Sequence, residues 1–465
     1  MSKRIAVFGG SFNPPEVHHR AVVEALSAQF DRVIVVPCGP RPDKPPTNDI
    51  EPVHRAVMCD MAFRGIPNVE VALFDLENGT FTRTIALDER YRSLGEVWHV
   101  IGSDLVCGGA TGAADIQTKW QNGADIWREL RFAVVDRPEF PFGAADLPPH
   151  SVMISVGRTG SSRGIRKMVY DHQPITGLVS SEIESYIDRY GLYRTSFRPN
   201  GARISFPDPK PFLIHDTRNP RAAALADRFS GIAVAKDHAN CILAIGGDGT
   251  MLRAIREDDH WRLRLPFIGV NAGHRGYLLN NIDETELADP LFLFSNLLVY
   301  QLPQLRIEYT DISGAEYGLY AFNDAWVQRH GGNQSAWLRV TVDGRVRIKK
   351  LVGDGLLVCT PAGSTAYARA MRASPLLIDS RAWLLVGNNV FDPLGWVSAP
   401  LSVESEIRID SLDYAKRPIA ACIDGVDCGE VSSVRARVSK IASIELAFLA
   451  RHDITAKLAD DVFPE

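Results

Sequence analysis

CILAIGGDGTMLRAI, residues 241–255, joins an apolar strand pattern to a turn with three glycines and then to an amphipathic helix pattern. The first half of the chain repeats this order in RIAVFGGSFNPPEVHHRAVVEAL, residues 4–26. A glycine turn exposes backbone N–H groups, and the helix that follows directs its positive end toward the same point. The sequence therefore predicts two α/β units, each with an anion-binding turn.

Outward from these two stretches, the chain divides into segments of different pattern. Residues 1–195 alternate apolar runs such as IAVF, VIVV and FAVV with helix-like stretches, which predicts a parallel sheet wrapped by helices. The polar, proline-rich residues 196–209 are predicted as a linker. A second α/β part is expected at 210–300, and strand-period segments such as LRVTVDGRVRI predict a mostly-β part over 301–440. Residues 441–465 are expected to form a C-terminal return segment.

Composition excludes several classes of function. The chain has 465 residues with a formal net charge of −5, which gives no global field for nucleic acid or an anionic membrane. No apolar run approaches the ~20 residues of a membrane-spanning helix. The seven cysteines form no CxxC pair, which indicates reduced thiols rather than a disulfide or zinc framework. We expect a cytoplasmic protein with small-molecule ligands, no nucleic-acid or membrane partner and no metal-ligating residues.

Two features of the first half favour a phosphate site. His19, in the first turn of the opening helix, can donate a hydrogen bond or positive charge to a phosphate. A second helix start, in GRTGSSRGIRKMV at residues 157–169, carries Ser161 or Ser162 as a cap and Arg166 close by. Each feature alone also fits a structural turn with solvated polar residues. Together they predict that both helix starts contribute to one site.

The order of these parts resembles the nicotinamide or nicotinic acid mononucleotide adenylyltransferases of the HxGH nucleotidyltransferase superfamily. GGSFNPP with its later histidine is similar to their first motif and SSRGIR to their ISSTxIR, while VVPCGPRPDKPP, NGTFTRTIAL, HVIGSDLV and FAVVDRP resemble the segments between. The resemblance spans residues 3–194 and implies a Rossmann-like domain. It implies ATP or mononucleotide contacts, with His19 catalytic, at Gly9, Gly10, Ser11, Phe12, His19, Lys44, Thr82, Gly102, Asp104, Arg137, Ser162 and Arg166.

The implied reaction joins NMN or nicotinic acid mononucleotide to the adenylyl group of ATP and releases pyrophosphate. A phosphate nucleophile is already ionised, so positioning and charge neutralisation suffice without a general base. Mg²⁺ is the expected divalent cation on the phosphates. Glu16 departs from the family pattern, since it stands where the family often has its first histidine. An acid there is repelled by triphosphate unless it faces away or helps to hold magnesium.

In the second half, Asp248 lies between the glycines of GGDGT, where little steric bulk keeps a hydroxyl substrate from its carboxylate. An Asp-containing turn without a ligand is the structural alternative. Residues 210–450 resemble NAD kinases through GVNAGHRGYLLN, FNDAWV, CIDGVD and above all GDGLLVCTPAGSTAYA, residues 353–368. Diacylglycerol kinases and phosphofructokinases have a similar turn but lack that last block.

This resemblance implies that Asp248 is the base that activates the adenosine 2′-hydroxyl of NAD for attack on the γ-phosphate of ATP. It also implies that the protein is a homo-oligomer. After STAYA the chain has RAMRASP where the family has small residues and Gly-Gly-Pro, so a different pocket wall is expected. The implied NAD and ATP site consists of Gly246, Gly247, Asp248, Gly249, Thr250, Asn271, Tyr277, Asn323, Asp324, Asp354, Thr365, Ala366 and Tyr367.

The two resemblances together predict a bifunctional enzyme of NAD and NADP synthesis. Adenylyl transfer to the nicotinic acid form gives an acid dinucleotide that must be amidated before the kinase step, so we hypothesise that the first domain accepts NMN at least as well. One alternative is an active adenylyltransferase controlled by a degenerate kinase-like domain that senses NAD or NADP. Another is a different HxGH transferase in the first half, acting on pantetheine phosphate or CTP.

Overall fold

The computed structural model describes residues 2–41, 50–157, 160–194, 200–257, 262–273, 276–283, 286, 289–331, 334–451 and 457–458. The chain separates into two compact units, residues 1–197 and 198–465. Among the helices of the described residues, none is long and apolar enough to cross a membrane.

The first unit is built on a six-stranded parallel sheet in the order β3-β2-β1-β4-β5-β6. The neighbouring residues Val33 and Ile34 are both fully buried, so both faces of the sheet are covered. This is the parallel α/β architecture that the sequence predicts. The strands are Arg4–Gly10 (β1), Arg32–Pro37 (β2), Val69–Val71 (β3), Glu96–Gly102 (β4), Arg131–Val135 (β5) and Ser151–Ile154 (β6).

The helices of this unit follow the strands along the chain. Since the strand order reverses between β1 and β4, the crevice at the carboxyl ends of these two strands is where an open parallel sheet binds its ligand. Within the described residues the α-helices are Val17–Ser27 (α1), Pro52–Phe63 (α2), Phe74–Asn78 (α3), Thr84–Tyr91 (α4), Asp115–Lys119 (α5), Gly123–Glu129 (α6), Ser162–Tyr170 (α7) and Ser181–Tyr190 (α8).

The second unit combines a short parallel part with a large antiparallel part in one sheet of 15 strands. Its α-helices within the described residues are Pro220–Phe229 (α9), Asp248–Arg256 (α10) and Tyr367–Ala370 (α11). Its strands are Asn200–Ile204 (β7), Pro211–His215 (β8), Cys241–Gly246 (β9), Phe267–Asn271 (β10), Leu297–Asp311 (β11), Glu316–Ala321 (β12), Asp324–Arg329 (β13), Ala336–Val342 (β14), Arg345–Gly353 (β15), Gly355–Cys359 (β16), Ala382–Asn388 (β17), Ser398–Ser402 (β18), Glu406–Ser411 (β19), Ile419–Ile423 (β20) and Val426–Leu449 (β21).

The parallel part supplies the α/β region and the antiparallel part the mostly-β region. β8, β9 and β10 pair in parallel, and β10 continues in parallel onto the end of β21. β21 then pairs antiparallel with β11, β19 and β20. The predicted succession of an α/β part and a mostly-β part is therefore present within one sheet.

Two expected boundaries differ from the structure. Within the expected linker 196–209, β7 forms and pairs antiparallel with β11, because Ala202 is buried and Ile204 packs on the apolar core of the unit. The boundary expected at residue 440 falls inside β21, since this strand runs without interruption from the antiparallel part into the parallel part. The proline and glycine residues around β7 give this short strand the sequence pattern of a linker. The boundary at residue 440 is wrong because composition alone does not show that one long strand crosses it.

Candidate functional sites

The loop that follows β1 forms one side of the crevice in the first unit. Gly9 is exposed, and a Cβ atom at Gly10 would lie 2.9 Å from the ring of Phe12. Phe12 is buried at a positive φ of 44°, a backbone conformation that costs a non-glycine residue about 1–3 kcal/mol. Such strain persists only where the surrounding packing fixes the backbone, and it is typical of functional loops.

Arg55, on α2, fixes this loop and is absent from the predicted site. Its buried guanidinium donates hydrogen bonds to the Ser11 carbonyl at 3.0 and 2.6 Å and to the Cys38 carbonyl at 2.5 Å. One side chain therefore ties the loop after β1 to the loop after β2. The sequence around it has the pattern of an ordinary helix, so nothing distinguishes Arg55 from a surface arginine before the fold is known.

His19 lies in the first turn of α1 and meets the Phe12 ring edge-on, with 5.1 Å between ring centroids. Its Nδ1 accepts a hydrogen bond from the Glu16 backbone N–H at 3.2 Å, so the neutral ring carries its proton on Nε2. Burial, with smaller contributions from His18 and Arg137, lowers the pKa of His19 to about 3. The His19 ring is therefore neutral and a hydrogen-bond donor at Nε2, not the cation that the sequence also allows.

The start of α7 meets the same loop. Ser162 Oγ lies 2.9 Å from the Pro14 carbonyl and 3.1 Å from Glu16 Oε1, within hydrogen-bond reach of both acceptors. Arg166 Nη1 donates to the Asn13 carbonyl at 2.6 Å. The structure thus brings together the two helix starts that the sequence singles out.

Glu16 occupies the space between these two helix starts. A Cβ atom at Gly160 would lie 2.1 Å from Glu16 Oε2, so only glycine fits beside the carboxylate. Burial raises the pKa of Glu16 although Ser162 donates a hydrogen bond to it. The sequence allows Glu16 to face away from phosphate or to hold magnesium; the carboxylate instead joins the start of α1 to the start of α7.

On the other side of the crevice, three predicted residues meet at the carboxyl end of β4. Gly102 leaves room for Arg137, whose Nε would lie 2.7 Å from a Cβ atom at this position. Arg137 Nη1 pairs with Asp104 Oδ1 at 3.2 Å, and both side chains are partly exposed. The guanidinium is therefore accessible to an anion in the crevice.

Thr82 has a different environment from the rest of the predicted set. Its N–H and its hydroxyl both donate to the buried carboxylate of Asp75, at 2.9 and 2.6 Å. These bonds hold the turn before α4, so the polar atoms of Thr82 are engaged in local structure. Lys44, the lysine predicted to contact phosphate, lies outside the described residues.

In the second unit, the GGDGT turn joins β9 to α10. A Cβ atom at Gly246 would lie 2.4 Å from Thr250 Oγ1, so the buried Thr250 side chain packs directly against the turn. Gly247 and Gly249 have open space where a Cβ atom would stand, and Gly249 is exposed. Unobstructed backbone N–H groups at the positive end of α10 are suited to an anion.

Asp248 is oriented by the loop that follows β10. Its Oδ2 accepts the Tyr277 N–H and its Oδ1 the Leu278 N–H, both at 3.0 Å. These two bonds fix the orientation of both carboxylate oxygens. The residue is partly exposed, which gives a substrate access to that carboxylate.

A cavity of about 420 Å³ opens beside Asp248, within the size range of small-molecule sites. Motif blocks far apart in sequence meet at its wall. The predicted residues that line it are Asp248, Tyr277, Asn323, Asp324, Thr365, Ala366 and Tyr367. The other lining residues are Leu252, Leu278, Ala362, Arg369, Asp424 and Gly425.

A buried carboxylate, Asp324, and a half-buried one, Asp424, lie in the wall of this cavity. Asp424 accepts the backbone N–H groups of Phe322, Asn323 and Asp324 at 2.6, 2.9 and 3.0 Å. Asp324 Oδ1 accepts the Trp326 Nε1 proton at 2.8 Å. Burial and the negative charge of Asp424 raise the pKa of Asp324 to about 7, and burial also raises the pKa of Asp424. Asp324 therefore gains or loses its proton near neutral pH.

Six predicted residues do not line the cavity: Gly246, Gly247, Gly249 and Thr250 belong to the turn beside it, and Asn271 and Asp354 lie elsewhere. Asn271 donates from its side chain to Asn281 Oδ1 at 2.8 Å. Asp354 pairs with Arg329 at 2.7 Å and accepts a hydrogen bond from Asn389 at 2.8 Å. Both side chains stabilise neighbouring loops of this unit. A sequence motif does not distinguish such structural residues from residues that contact a ligand.

Sequence reasoning did not assign two polar residues of the cavity wall. Asp424 belongs to the CIDGVD segment, which the sequence relates to NAD kinases only as a whole. Its positive φ of 46° suits the turn between β20 and β21, and this turn carries the carboxylate to the cavity. Arg369 is the first residue of RAMRASP, where the chain departs from the NAD kinase pattern, and it lies in the wall of the cavity, where that departure predicts a difference.

Comparison with known proteins separates the chain into the same halves. Residues 7–184 match a family model described as cytidylyltransferase-like, and residues 211–291 match the ATP-NAD kinase N-terminal domain. An NAD kinase of Cereibacter sphaeroides (strain ATCC 17029 / ATH 2.4.9) is 34% identical over 225 residues, which cover 48% of this chain and 86% of that protein. An NAD kinase of Brucella melitensis biotype 1 is 32% identical over 243 residues, covering 51% and 90%. The solved structure of yeast NADH kinase complexed with NADH aligns with 55% of this chain and 88% of its own, at 14% identity and a TM-score of 0.47.

Proposed function

The chain belongs to the NAD kinase family, and on that premise we propose that its second unit transfers the γ-phosphate of ATP to the adenosine 2′-hydroxyl of NAD. The observation that carries the proposal is the Asp248 carboxylate, oriented by two backbone N–H groups at the wall of a cavity of about 420 Å³. A bond forms between the ribose 2′-oxygen and the γ-phosphorus while the bond to the β–γ bridging oxygen breaks. The hydroxyl proton passes to Asp248, and ADP leaves.

The walls of the cavity suit the remaining parts of a dinucleotide. The Tyr367 ring is 56% exposed and is braced by Trp326, with 4.4 Å between ring centroids, so it presents an aromatic face to a base. Asp324 and Asn323 supply polar groups to a ribose or a base edge. The open glycines of the GGDGT turn and the start of α10 accept the phosphates of ATP.

For the first unit, we propose adenylyl transfer from ATP to NMN. The phosphate oxygen of NMN attacks the α-phosphorus of ATP, the bond from that phosphorus to the α–β bridging oxygen breaks, and pyrophosphate leaves without a proton acceptor. His19 donates from Nε2, and Arg137 with the start of α7 adds positive potential to the same crevice. NMN is favoured over the nicotinic acid form because only NMN yields NAD, the substrate proposed for the second unit.

Mg²⁺ enters this proposal only as an ion that arrives on the phosphates of ATP. Among the residues that the structure describes, no group of three or more His, Cys, Asp or Glu side chains is placed to hold a metal ion.

The decisive experiment incubates the full chain with ATP, Mg²⁺ and either mononucleotide and follows both dinucleotide products and their phosphorylated forms. We expect NAD first and then NADP from NMN. His19→Ala should reduce adenylyl transfer while leaving phosphorylation of added NAD intact. Asp248→Asn should reduce phosphorylation by about 10²–10⁴-fold and leave adenylyl transfer intact.

The two variants serve as controls for each other because each changes one unit. Loss of both activities in either variant would indicate misfolding, which melting curves would detect. Strict use of nicotinic acid mononucleotide would refute the proposed first substrate. Tight NADP binding without any NADP formation would favour instead a kinase-like unit that senses dinucleotide.

A further inference from the structure

A lysine near the end of the described chain contacts the loop that orients Asp248. Lys457 Nζ donates to the Gly276 carbonyl at 3.3 Å and also to the Leu279 carbonyl. The neighbouring Leu458 is buried in the apolar cluster that includes Leu278 and Leu279. Lys457 Nζ also lies 5.7 Å from the centre of the Phe448 ring at the end of β21.

The loop 276–279 is therefore held from both of its polar edges. The N–H groups of Tyr277 and Leu278 point to the Asp248 carboxylate, whereas the carbonyls of Gly276 and Leu279 accept from the Lys457 ammonium. The N–H groups of this loop thus face the carboxylate of Asp248, and its carbonyl groups face the ammonium of Lys457. Each charged group favours the loop geometry that the other requires.

From this arrangement we propose that Lys457 is a positioning residue for the kinase reaction, which orients the loop 276–279 and thereby keeps Asp248 ionised and correctly directed. The inference rests on the proposed role of Asp248 as the base. Burial lowers the pKa of Lys457, and the negative charge of Asp248 opposes that shift. Asp324, Asp424, Arg369 and Tyr277 line the same cavity as Asp248.

The sign of the expected pH effect follows from the charges. An ammonium near a carboxylate favours its ionised form and lowers its pKa. Its removal raises that pKa, so the acidic limb of the kcat profile moves to higher pH. Asp424 and Asp324, whose pKa is about 7, are unchanged in a Lys457 variant, so their titration affects both proteins alike.

The test compares Lys457→Met with the wild type and with Lys457→Arg in the full chain, with NAD and ATP as substrates. We expect Lys457→Met to lower kcat, to leave the KM for NAD within about twofold, and to move the acidic limb upward by about half a pH unit or more. Lys457→Arg should restore the acidic limb, because a guanidinium supplies the same charge and donors. Lys440→Met, at an exposed lysine of β21, is the matched control and should behave as the wild type.

A second measurement distinguishes failure of this inference from failure of the proposed function. Hydrogen–deuterium exchange of the Tyr277 and Leu278 amides should be about tenfold faster in Lys457→Met and in Asp248→Asn, whether or not the chain phosphorylates NAD. A wild type without kinase activity but with this exchange pattern would retain the positioning role and reject the kinase. An unchanged exchange rate and an unchanged acidic limb in Lys457→Met would overturn the inference.

Discussion

Asp324 and Asp424 share one wall of the second cavity but have different surroundings. Asp424 accepts three backbone N–H groups, whereas the only hydrogen bond described for the Asp324 side chain comes from Trp326. The pKa of Asp324 is raised to about 7 because burial and the charge of Asp424 act together. Near neutral pH, Asp324 is therefore present both as a protonated acid that donates a hydrogen bond and as a carboxylate that only accepts.

Asp324→Asn should therefore stabilise the second unit at alkaline pH. A carboxyl whose pKa is raised in the folded state contributes stability below its unfolded pKa and loses that contribution as pH rises through about 7. Asparagine resembles the protonated acid and can still accept from Trp326. We expect a gain of about 1–3 kcal/mol at pH 8 that disappears near pH 4, measured by chemical denaturation.

Asp379→Asn, at an exposed aspartate of the same unit, provides the control and should change little at either pH. A loss of stability in Asp324→Asn at pH 8 would show that Asp324 is ionised at no cost in the folded chain, contrary to its surroundings.

At the scale of single residues, the sequence identified the groups that motifs carry and missed those that only the fold brings near. Asp248 is evident from the glycines around it. Arg55 and Lys457 act through hydrogen bonds to backbone carbonyls. Because almost every residue has such a carbonyl, no pattern of residue types predicts which one a side chain will contact. Asp354 and Thr82 show the opposite error, in which the sequence predicts a ligand contact for a structural residue. Each belongs to a motif, but its side chain bonds to neighbouring residues of the protein.

At the scale of elements, the turn between β9 and α10 contains glycines with different requirements. A Cβ atom at Gly246 would collide with Thr250, whereas a Cβ atom at Gly247 would stand in open space. Gly246→Ala should therefore destabilise the second unit by about 1–3 kcal/mol through overpacking. Gly247→Ala should leave its melting temperature nearly unchanged.

The same pair of variants tests the proposed phosphate site. If ATP phosphates approach the turn, the added methyl group of Gly247→Ala should raise the KM for ATP several-fold without loss of fold. Equal melting temperatures for both variants would contradict the packing described for Gly246. An unaltered KM in Gly247→Ala would place the phosphates elsewhere.

Strand and helix patterns were sufficient to predict the parallel sheet of the first unit and the two-part second unit. The patterns were less informative where neighbours decide the outcome. β7 forms because β11 offers it an edge, and β21 crosses the expected boundary because both of its halves find partners. Pairing of this kind depends on residues a hundred positions away, which local periodicity does not encode.

At the scale of the whole molecule, the predicted fusion is confirmed by two family matches on separate units, in the order that the motifs indicate. A shared chain raises the effective concentration of one site near the other but does not by itself transfer an intermediate. If the first unit makes NAD as proposed, we therefore expect that NAD to mix with NAD in solution before it is phosphorylated.

Isotope dilution measures this directly. With labelled NMN, ATP and a tenfold excess of unlabelled NAD, the label in NADP should fall by about the ratio of unlabelled to newly made NAD, as free diffusion requires. Addition of the excess NAD after the reaction is the control for recovery. Label in NADP that resists dilution would show direct transfer between the units.

β21 is the last strand along the described chain, yet it lies inside the sheet with β10, β11, β19 and β20 as neighbours. On the ribosome, the first unit can close its sheet early, since its strands end at Ile154 and pair only with one another. The second unit must keep these four strand edges open until β21, Val426–Leu449, has been synthesised, and open edges can pair with wrong partners. A nascent chain released before that point would consist of a folded first half joined to a remainder that depends on chaperones.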